Sequence, residues 1–153
     1  MRLCWSLAAL SILALGITLY LFVIRGSVVP ASDGRTAILL APGERDLVLA
    51  EMRAFLQSTQ TIIVSAARHD LAPAIRAAHQ VGAQAQRAVP TSLMGKLPLA
   101  FKSLGLDTHR RFDQLAQNAQ DLGDPTQTLS ELGDLMNNCI ACHAAYRIDP
   151  AQP

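Results

Sequence analysis

A C-x-x-C-H motif, Cys139-Ile140-Ala141-Cys142-His143, lies close to the C-terminus and holds the most chemically capable residues of the chain. This pattern is typical of covalent haem attachment, in which each of the two thiols bonds to a vinyl group of the porphyrin. The histidine that follows then offers a ring nitrogen to the iron as an axial ligand. The sequence therefore predicts one covalently bound haem c per chain, held by Cys139, Cys142 and His143.

Two other uses of a cysteine pair fit the sequence less well. A thioredoxin-type dithiol belongs at the start of a helix that follows a strand, whereas this pair lies near the end of a predicted helix with no strand-rich segment before it. A structural zinc site needs a second pair of ligands. The only other cysteine is Cys4, in an N-terminal apolar run, where we expect a free thiol within the membrane. Of these two uses, we keep the dithiol as an alternative to haem.

Composition points to a helical, near-neutral protein. Of its 153 residues, 50% are hydrophobic and only 5% are aromatic, and the formal net charge is +1. A protein that binds nucleic acid needs a basic surface to displace counterions from phosphates, so we expect no nucleic-acid partner. Outside the N-terminal run the chain is rich in Ala, Leu and Gln, which are good helix formers.

Residues 1–25 predict a transmembrane anchor. No charged residue occurs between Leu3 and Ile24, and an arginine flanks the run on each side. A helix of 22 residues (3–24) extends over about 33 Å, enough to cross the hydrocarbon core of a bilayer. A cleaved secretory signal, the alternative, has a shorter apolar region before a small-residue cleavage site. Because c-type haem is attached outside the bacterial cytoplasm, we expect an inner-membrane protein whose haem domain lies in the periplasm.

Four amphipathic segments predict an all-α domain at residues 44–149. Residues 26–43 contain Gly, Ser, Pro and Asp without a helical period, so we expect a linker there that acts as a tether. The predicted helices span approximately 44–69, 70–89, 98–122 and 124–148. Asp124 is the expected N-cap of the last one, with Pro125 in its first turn. Short connections between them predict an antiparallel four-helix bundle that follows the N-terminal transmembrane helix.

Antiparallel packing brings the end of the fourth predicted helix beside the start of the first. His143 then lies roughly 8 Å from that end of the bundle and Met52 roughly 12 Å from it, so Met52 is at a suitable level for the second axial ligand. As an alternative, a Met on an apolar face fills the core. Phe101 and Phe112 are expected to pack on the porphyrin. Arg147 is expected to cover the proximal side or pair with a haem propionate, or simply to favour the helix C-terminus.

Two residues of the third predicted helix fall at the same level. Gly105 makes room for the edge of the ring, although a glycine also favours a break in the helix. His109 lies one step off the inward face, so we expect a partner for a haem propionate or a solvated histidine rather than an iron ligand.

The residues from Cys139 to Arg147 resemble the C-terminal signature of the class II c-type cytochromes, the cytochrome c-prime group. That family carries C-x-x-C-H-x-x-(Phe/Tyr)-Arg on the last helix of a four-helix bundle, and this sequence matches every fixed position. The resemblance implies that a Met on the distal side, here Met52, gives a six-coordinate electron carrier, whereas a Leu gives a five-coordinate, gas-binding protein. It also implies a homodimer paired through the first two helices, and the predicted anchor makes this chain a membrane-anchored variant.

Together these features predict a monohaem cytochrome that carries single electrons between periplasmic or membrane redox proteins. The alternative is a five-coordinate haem protein that binds or senses nitric oxide or carbon monoxide, in a pocket lined by Leu49, Met52 and Phe101. No nucleophile–base pair, phosphate-binding loop or carboxylate dyad is recognisable in the sequence, so we do not expect an enzyme.

Overall fold

The computed structural model describes residues 2–151, with side chains throughout except at residues 2–4 and 88. The free thiol expected at Cys4 therefore lies outside the described side chains. Most of the described chain is helical, with six α-helices and one small sheet. The helices are α1 (Arg2–Leu19), α2 (Pro42–Ala67), α3 (Ala72–Gln80), α4 (Thr91–Lys96), α5 (Leu99–Leu122) and α6 (Pro125–Ala145). The strands are β1 (Val28–Pro30), β2 (Thr36–Leu40) and β3 (Tyr146–Pro150).

The four longest helices after α1 share one apolar core. Helix α2 packs against α3 and α6, and α5 packs against the same two helices. Because each helix places an apolar face toward the others at steps of three and four, the buried side chains interlock at the centre. This first core contains Phe55, Ile62, Ala74, Ala78, Val81, Phe112, Leu115, Ala116, Leu132 and Leu135.

Helix boundaries agree with the sequence where local signals are strong. Helix α5 runs through Gly105 without a break. Helix α6 begins after Asp124, whose side-chain carboxylate accepts hydrogen bonds from the amides of Thr126 (2.8 Å) and Gln127 (3.2 Å), as the sequence predicts. The second predicted helix is shorter than expected: α3 ends at Gln80, and a 3₁₀-helical segment, Ala83–Ala88, takes over its remaining length.

A three-stranded sheet forms where the sequence predicts a linker and the end of the last helix. Strand β2 pairs antiparallel with β1 and parallel with β3, with Ile38 opposite both Val28 and Ile148. Residues 26–43 are therefore not a plain tether, because they supply two of the three strands. The last helix was expected to reach Ile148 but ends at Ala145, since the next five residues bond to β2 instead.

The sheet covers a second apolar core at one end of the helices. Ile38 and Leu40 of β2 are fully buried there. The other buried members of this second core are Val48, Leu93, Leu97 and Phe101. Cys142, Tyr146 and Ile148 pack against it from α6 and β3. The patch Ala37–Leu40, which the sequence leaves unplaced, is therefore the layer that closes this end of the domain.

The N-terminal segment is an exposed apolar helix whose end is hydrogen-bonded to the domain. Residues Trp5–Arg25 have a mean hydropathy of 2.5 and none of that window is buried, so this helix is long and apolar enough to span a membrane or to act as a signal sequence. Its last six residues, Tyr20–Arg25, form a π-helical turn. Lys102 Nζ donates to the carbonyl oxygen of Val23 at 2.9 Å, and the Ser27 amide donates to that of Lys96 at 2.7 Å.

Candidate functional site

Helix α6 carries the C-x-x-C-H residues in its last two turns. Cys139 packs against the first core and Cys142 against the second, so the motif lies where the two cores meet. Both thiols are partly buried, whereas His143 is exposed. The two cysteines therefore pack inward, and the imidazole lies at the exposed edge of the motif.

One cavity of about 390 Å³ lies between α2, α5 and α6 and collects most of the predicted site. Cys139, Cys142, His143, Met52 and Phe101 all line it. The volume falls in the usual range for small-molecule and cofactor sites. The remaining lining residues are Glu51, Arg53, Phe55, Leu56, Thr59, Leu104, Gly105, Thr108, Met136 and Asn138.

The cavity has apolar walls and an open side. Leu56 and Met136 line it with 70% and 38% of their surfaces exposed, and such exposed apolar side chains at a cavity mark a ligand or partner site. At Gly105 a β-carbon would meet no described heavy atom within 4 Å, so the α5 wall is open there. Two thiols and an imidazole on one cavity wall are the donor set that haem c uses. The residues therefore fit the predicted cofactor.

The thiols are poorly suited to disulfide exchange. Burial raises the pKa of Cys142 to about 11, with the neighbouring Cys139 adding to the effect, and burial also raises the pKa of Cys139. A catalytic dithiol needs a lowered thiol pKa, usually at a helix N-terminus, whereas this pair lies near a helix C-terminus. Among the described residues, no group of three or more His, Cys, Asp or Glu is arranged to hold a metal by itself. The geometry therefore favours neither the dithiol nor a zinc site.

The methionines and Phe112 differ in part from the expected arrangement. Met52 lies on α2, partly buried, and packs against both cores. Met136 of α6 is 38% exposed and lines the same cavity, so the site has a second thioether. Phe112 is fully buried in the first core, stacked on Phe55 with ring centroids 5.4 Å apart. Phe112 therefore supports the cavity wall from behind and does not line it.

Arg147 lies outside the lining of the cavity. Its Nε donates to Asp149 Oδ1 at 2.8 Å, and its NH1 group donates to Asp33 Oδ2 at 3.3 Å. The cause is the early end of α6: Arg147 belongs to β3, opposite Ala37, and not to a further helical turn after His143. In this structure the side chain joins the sheet to the turn between β1 and β2.

Two polar interactions at the site are not evident from the sequence. Asn138, next to Cys139, donates to Asp107 Oδ2 at 2.8 Å and so ties α6 to α5. Hydrogen bonds from Asn138 and then Arg111 lower the pKa of Asp107 to about 2. His109, expected at the surface or beside a propionate, is only 1% exposed and lies 3.0 Å from Glu51 Oε1. The only sequence signal for either interaction is a polar residue one position away from the apolar face of a helix.

Comparison with protein-family models, with curated proteins and with solved structures finds no match to this chain. The functional assignment therefore depends on the cavity and on the residues that line it.

Proposed function

We propose that this chain is a membrane-anchored, monohaem c-type cytochrome that carries single electrons and is not an enzyme. The observation that carries the proposal is the convergence of two thiols, an imidazole and a thioether on one apolar cavity: Cys139, Cys142, His143 and Met52. Haem c, when bound, supplies an iron that gains or loses one electron.

Different residues would hold different parts of the cofactor. Cys139 and Cys142 would bind it through thioether bonds; the Cys139 side chain packs against the first core and that of Cys142 against the second. His143 would supply an imidazole to the iron from the exposed edge of the cavity, and Met52 lines the same cavity from α2. Phe101 is 9% exposed and packs edge-on against Tyr146, with centroids 5.4 Å apart.

The architecture we propose is the antiparallel four-helix bundle of the class II c-type cytochromes, formed by α2, α3, α5 and α6 within residues 44–149. The mutual packing of α2 and α5 against both α3 and α6 supports it. A bundle of this kind builds its cofactor site between facing helices. The pairing of two chains through α2 and α3, which the family resemblance implies, is part of the same proposal.

The proposed location is the inner membrane, with the haem domain in the periplasm. The exposed apolar helix Trp5–Arg25 supports membrane attachment. Because c-type haem is attached outside the cytoplasm, the domain after this helix must lie on the periplasmic side. Its partners are then periplasmic or membrane redox proteins that exchange one electron at a time.

Absorption spectra of the purified, matured protein test the proposal, with and without carbon monoxide. We expect a haem c spectrum whose reduced form resists carbon monoxide, because the Met52 thioether would ligate the iron opposite His143. Met52→Ala should give a high-spin spectrum and rapid carbon monoxide binding, whereas Met136→Ala, which removes the thioether at the rim, should not. Rapid carbon monoxide binding by the unaltered protein would favour the five-coordinate, gas-binding alternative.

Covalent attachment has its own control in the third cysteine. Replacing both Cys139 and Cys142 with Ser should release haem on denaturation in acid acetone, while Cys4→Ser should retain it. Colourless protein from cells that mature other c-type cytochromes would overturn the proposal.

A further inference from the structure

A second cavity, of about 310 Å³, lies on the other side of the α2–α5 pair from the C-x-x-C-H residues. It is enclosed by α2, α4, α5 and the segment between α3 and α4. Its walls are mainly apolar and include Val48, Val81, Leu93 and Leu97, all of them buried. It shares Glu51, Phe101 and Gly105 with the first cavity, so the two are separated by a single layer of side chains.

A buried imidazole and a partly exposed carboxylate, His109 and Glu51, line this second cavity. His109 Nδ1 lies 2.6 Å from the carbonyl oxygen of Val81, which can only accept, so Nδ1 carries a proton and donates. His109 Nε2 lies 3.0 Å from Glu51 Oε1, yet this contact lacks hydrogen-bond alignment and leaves Nε2 without a well-directed partner among the described residues. Buried polar atoms are nearly always hydrogen-bonded, so an incompletely paired one calls for a partner.

One hydroxyl group can complete this pair. A hydroxyl donates one hydrogen bond and accepts two, so it can donate to the Glu51 carboxylate and accept from the Nε2–H of His109 when the imidazole carries a proton on both nitrogens. A water molecule would satisfy these two groups but would leave the apolar remainder of a cavity of about 310 Å³ unfilled. An apolar ring that carries a hydroxyl at its edge satisfies the pair and the apolar walls together.

Lys102 connects the wall of this cavity to the end of the N-terminal apolar helix. Lys102 and Met94 line the cavity, and Lys102 Nζ donates to the carbonyl oxygens of Val23 (2.9 Å) and Met94 (3.3 Å). The π-helical turn that leads out of the apolar helix is thus one side chain away from the cavity. A lipid-soluble ligand is concentrated in the layer where such a helix lies.

We propose that this second cavity binds the ring of a quinol, with Glu51 and His109 holding one of its hydroxyl groups. Binding of the ring does not depend on haem in the first cavity. A role for the quinol as electron donor rests on the proposed function: one quinol would give its two electrons in succession to two oxidised haems, release its two hydroxyl protons and leave as the quinone. Phe101, which lines both cavities, would then lie between the ring and the haem.

Isothermal titration of the full chain in detergent with methylhydroquinone tests this assignment, with the protein reduced beforehand so that electron transfer contributes no heat. We expect saturable binding, and at least about tenfold weaker binding of the dimethyl ether of the same ring, since a hydrogen bond to a charged group is lost. The ether fills the same apolar space without a hydroxyl proton, so equal binding of the two ligands would overturn the proposal.

Matched variants locate the binding. Glu51→Gln should weaken methylhydroquinone binding about tenfold, and His109→Gln should do the same if that variant folds. His79→Gln is the control, because His79 forms an exposed pair with Asp113 at 3.3 Å outside this cavity. No binding, or equal binding by Glu51→Gln, would overturn the quinol site. Protein that contains haem but does not bind methylhydroquinone would overturn the quinol site alone. Protein that lacks haem but binds methylhydroquinone would overturn only the proposed function.

Discussion

Gly26 joins the N-terminal helix to the domain, and its replacement by alanine should destabilise the protein strongly. Its backbone, at φ +68° and ψ −168°, lies in a region that only glycine adopts readily. A β-carbon there would collide with the Lys96 carbonyl oxygen and lie 2.7 Å from the Pro98 nitrogen and 2.8 Å from the Leu97 carbonyl carbon. These are backbone atoms, which cannot turn aside as a side chain can.

The size of the effect follows from two separate costs. Backbone strain in this region costs about 1–3 kcal/mol, and overpacking against fixed atoms costs about 1–3 kcal/mol more. The sum, about 2–6 kcal/mol, corresponds to a fall in Tm of roughly 5–20 °C for a chain of this length. Gly34→Ala is the matched control, because Gly34 also has a positive φ (+85°) but has no described heavy atom within 4 Å of its β-carbon position.

Thermal unfolding of the full chain in detergent, followed by circular dichroism, measures both variants. Gly34→Ala carries strain alone and should lower Tm by roughly 2–8 °C, from a cost of about 1–2 kcal/mol. Equal, small changes for the two variants would refute the reasoning, because they would show that the connection between helix and domain is loose. A larger loss for Gly26→Ala supports a fixed junction.

Three smaller perturbations test other parts of the structure. Asp124→Ala removes the N-cap of α6 and should cost about 1 kcal/mol in the free energy of unfolding, measured with urea. The lowered pKa of Asp107, about 2, means that its bond from Asn138 stabilises the fold above about pH 4 and is lost as pH falls toward 2; Asp107→Asn should flatten the acid limb of a plot of Tm against pH. For His109, burial lowers the pKa, but Glu51 and the Val81 carbonyl outweigh burial and raise it. Protonated His109 therefore contributes fully to the free energy of unfolding below about pH 6.5, and this contribution is lost as pH rises beyond that value. Glu51→Gln should make this loss smaller in the same plot of Tm against pH.

The sequence predicts those parts of the fold that depend on local signals. The period of apolar residues and the Asp124 cap lie within single segments, so α2, α5 and the start of α6 fall within a few residues of the expected positions. The sheet depends on pairing between Thr36–Leu40 and Tyr146–Pro150, more than a hundred residues apart. Helical periodicity alone carries α6 on to Ile148, and only the partner strand shows why the helix ends at Ala145.

The candidate site divides in the same way. The C-x-x-C-H motif is contiguous in sequence, and simple helix geometry is enough to bring Met52 to its level, because both depend on regular helices. His109 is different, because its burial requires Val81 from the end of α3 and Glu51 from α2. No spacing within α5 contains that information. The predicted position of Arg147 near the haem assumes that the last helix continues past His143. Arg147 instead lies in β3, which pairs with a strand far away in the sequence.

The sheet connects the residues that follow the apolar helix, 26–43, to the C-x-x-C-H motif. Strand β2 pairs with β3, which begins three residues after His143. Arg35 NH1, in the turn that precedes β2, lies 3.4 Å from the carbonyl oxygens of both His143 and Tyr146 and donates to them. A soluble domain that began at residue 44 would lose two of the three strands and uncover the second core, including Phe101 and the side of Cys142 that packs there. The folded unit that holds the cavity therefore includes the strands of residues 28–40.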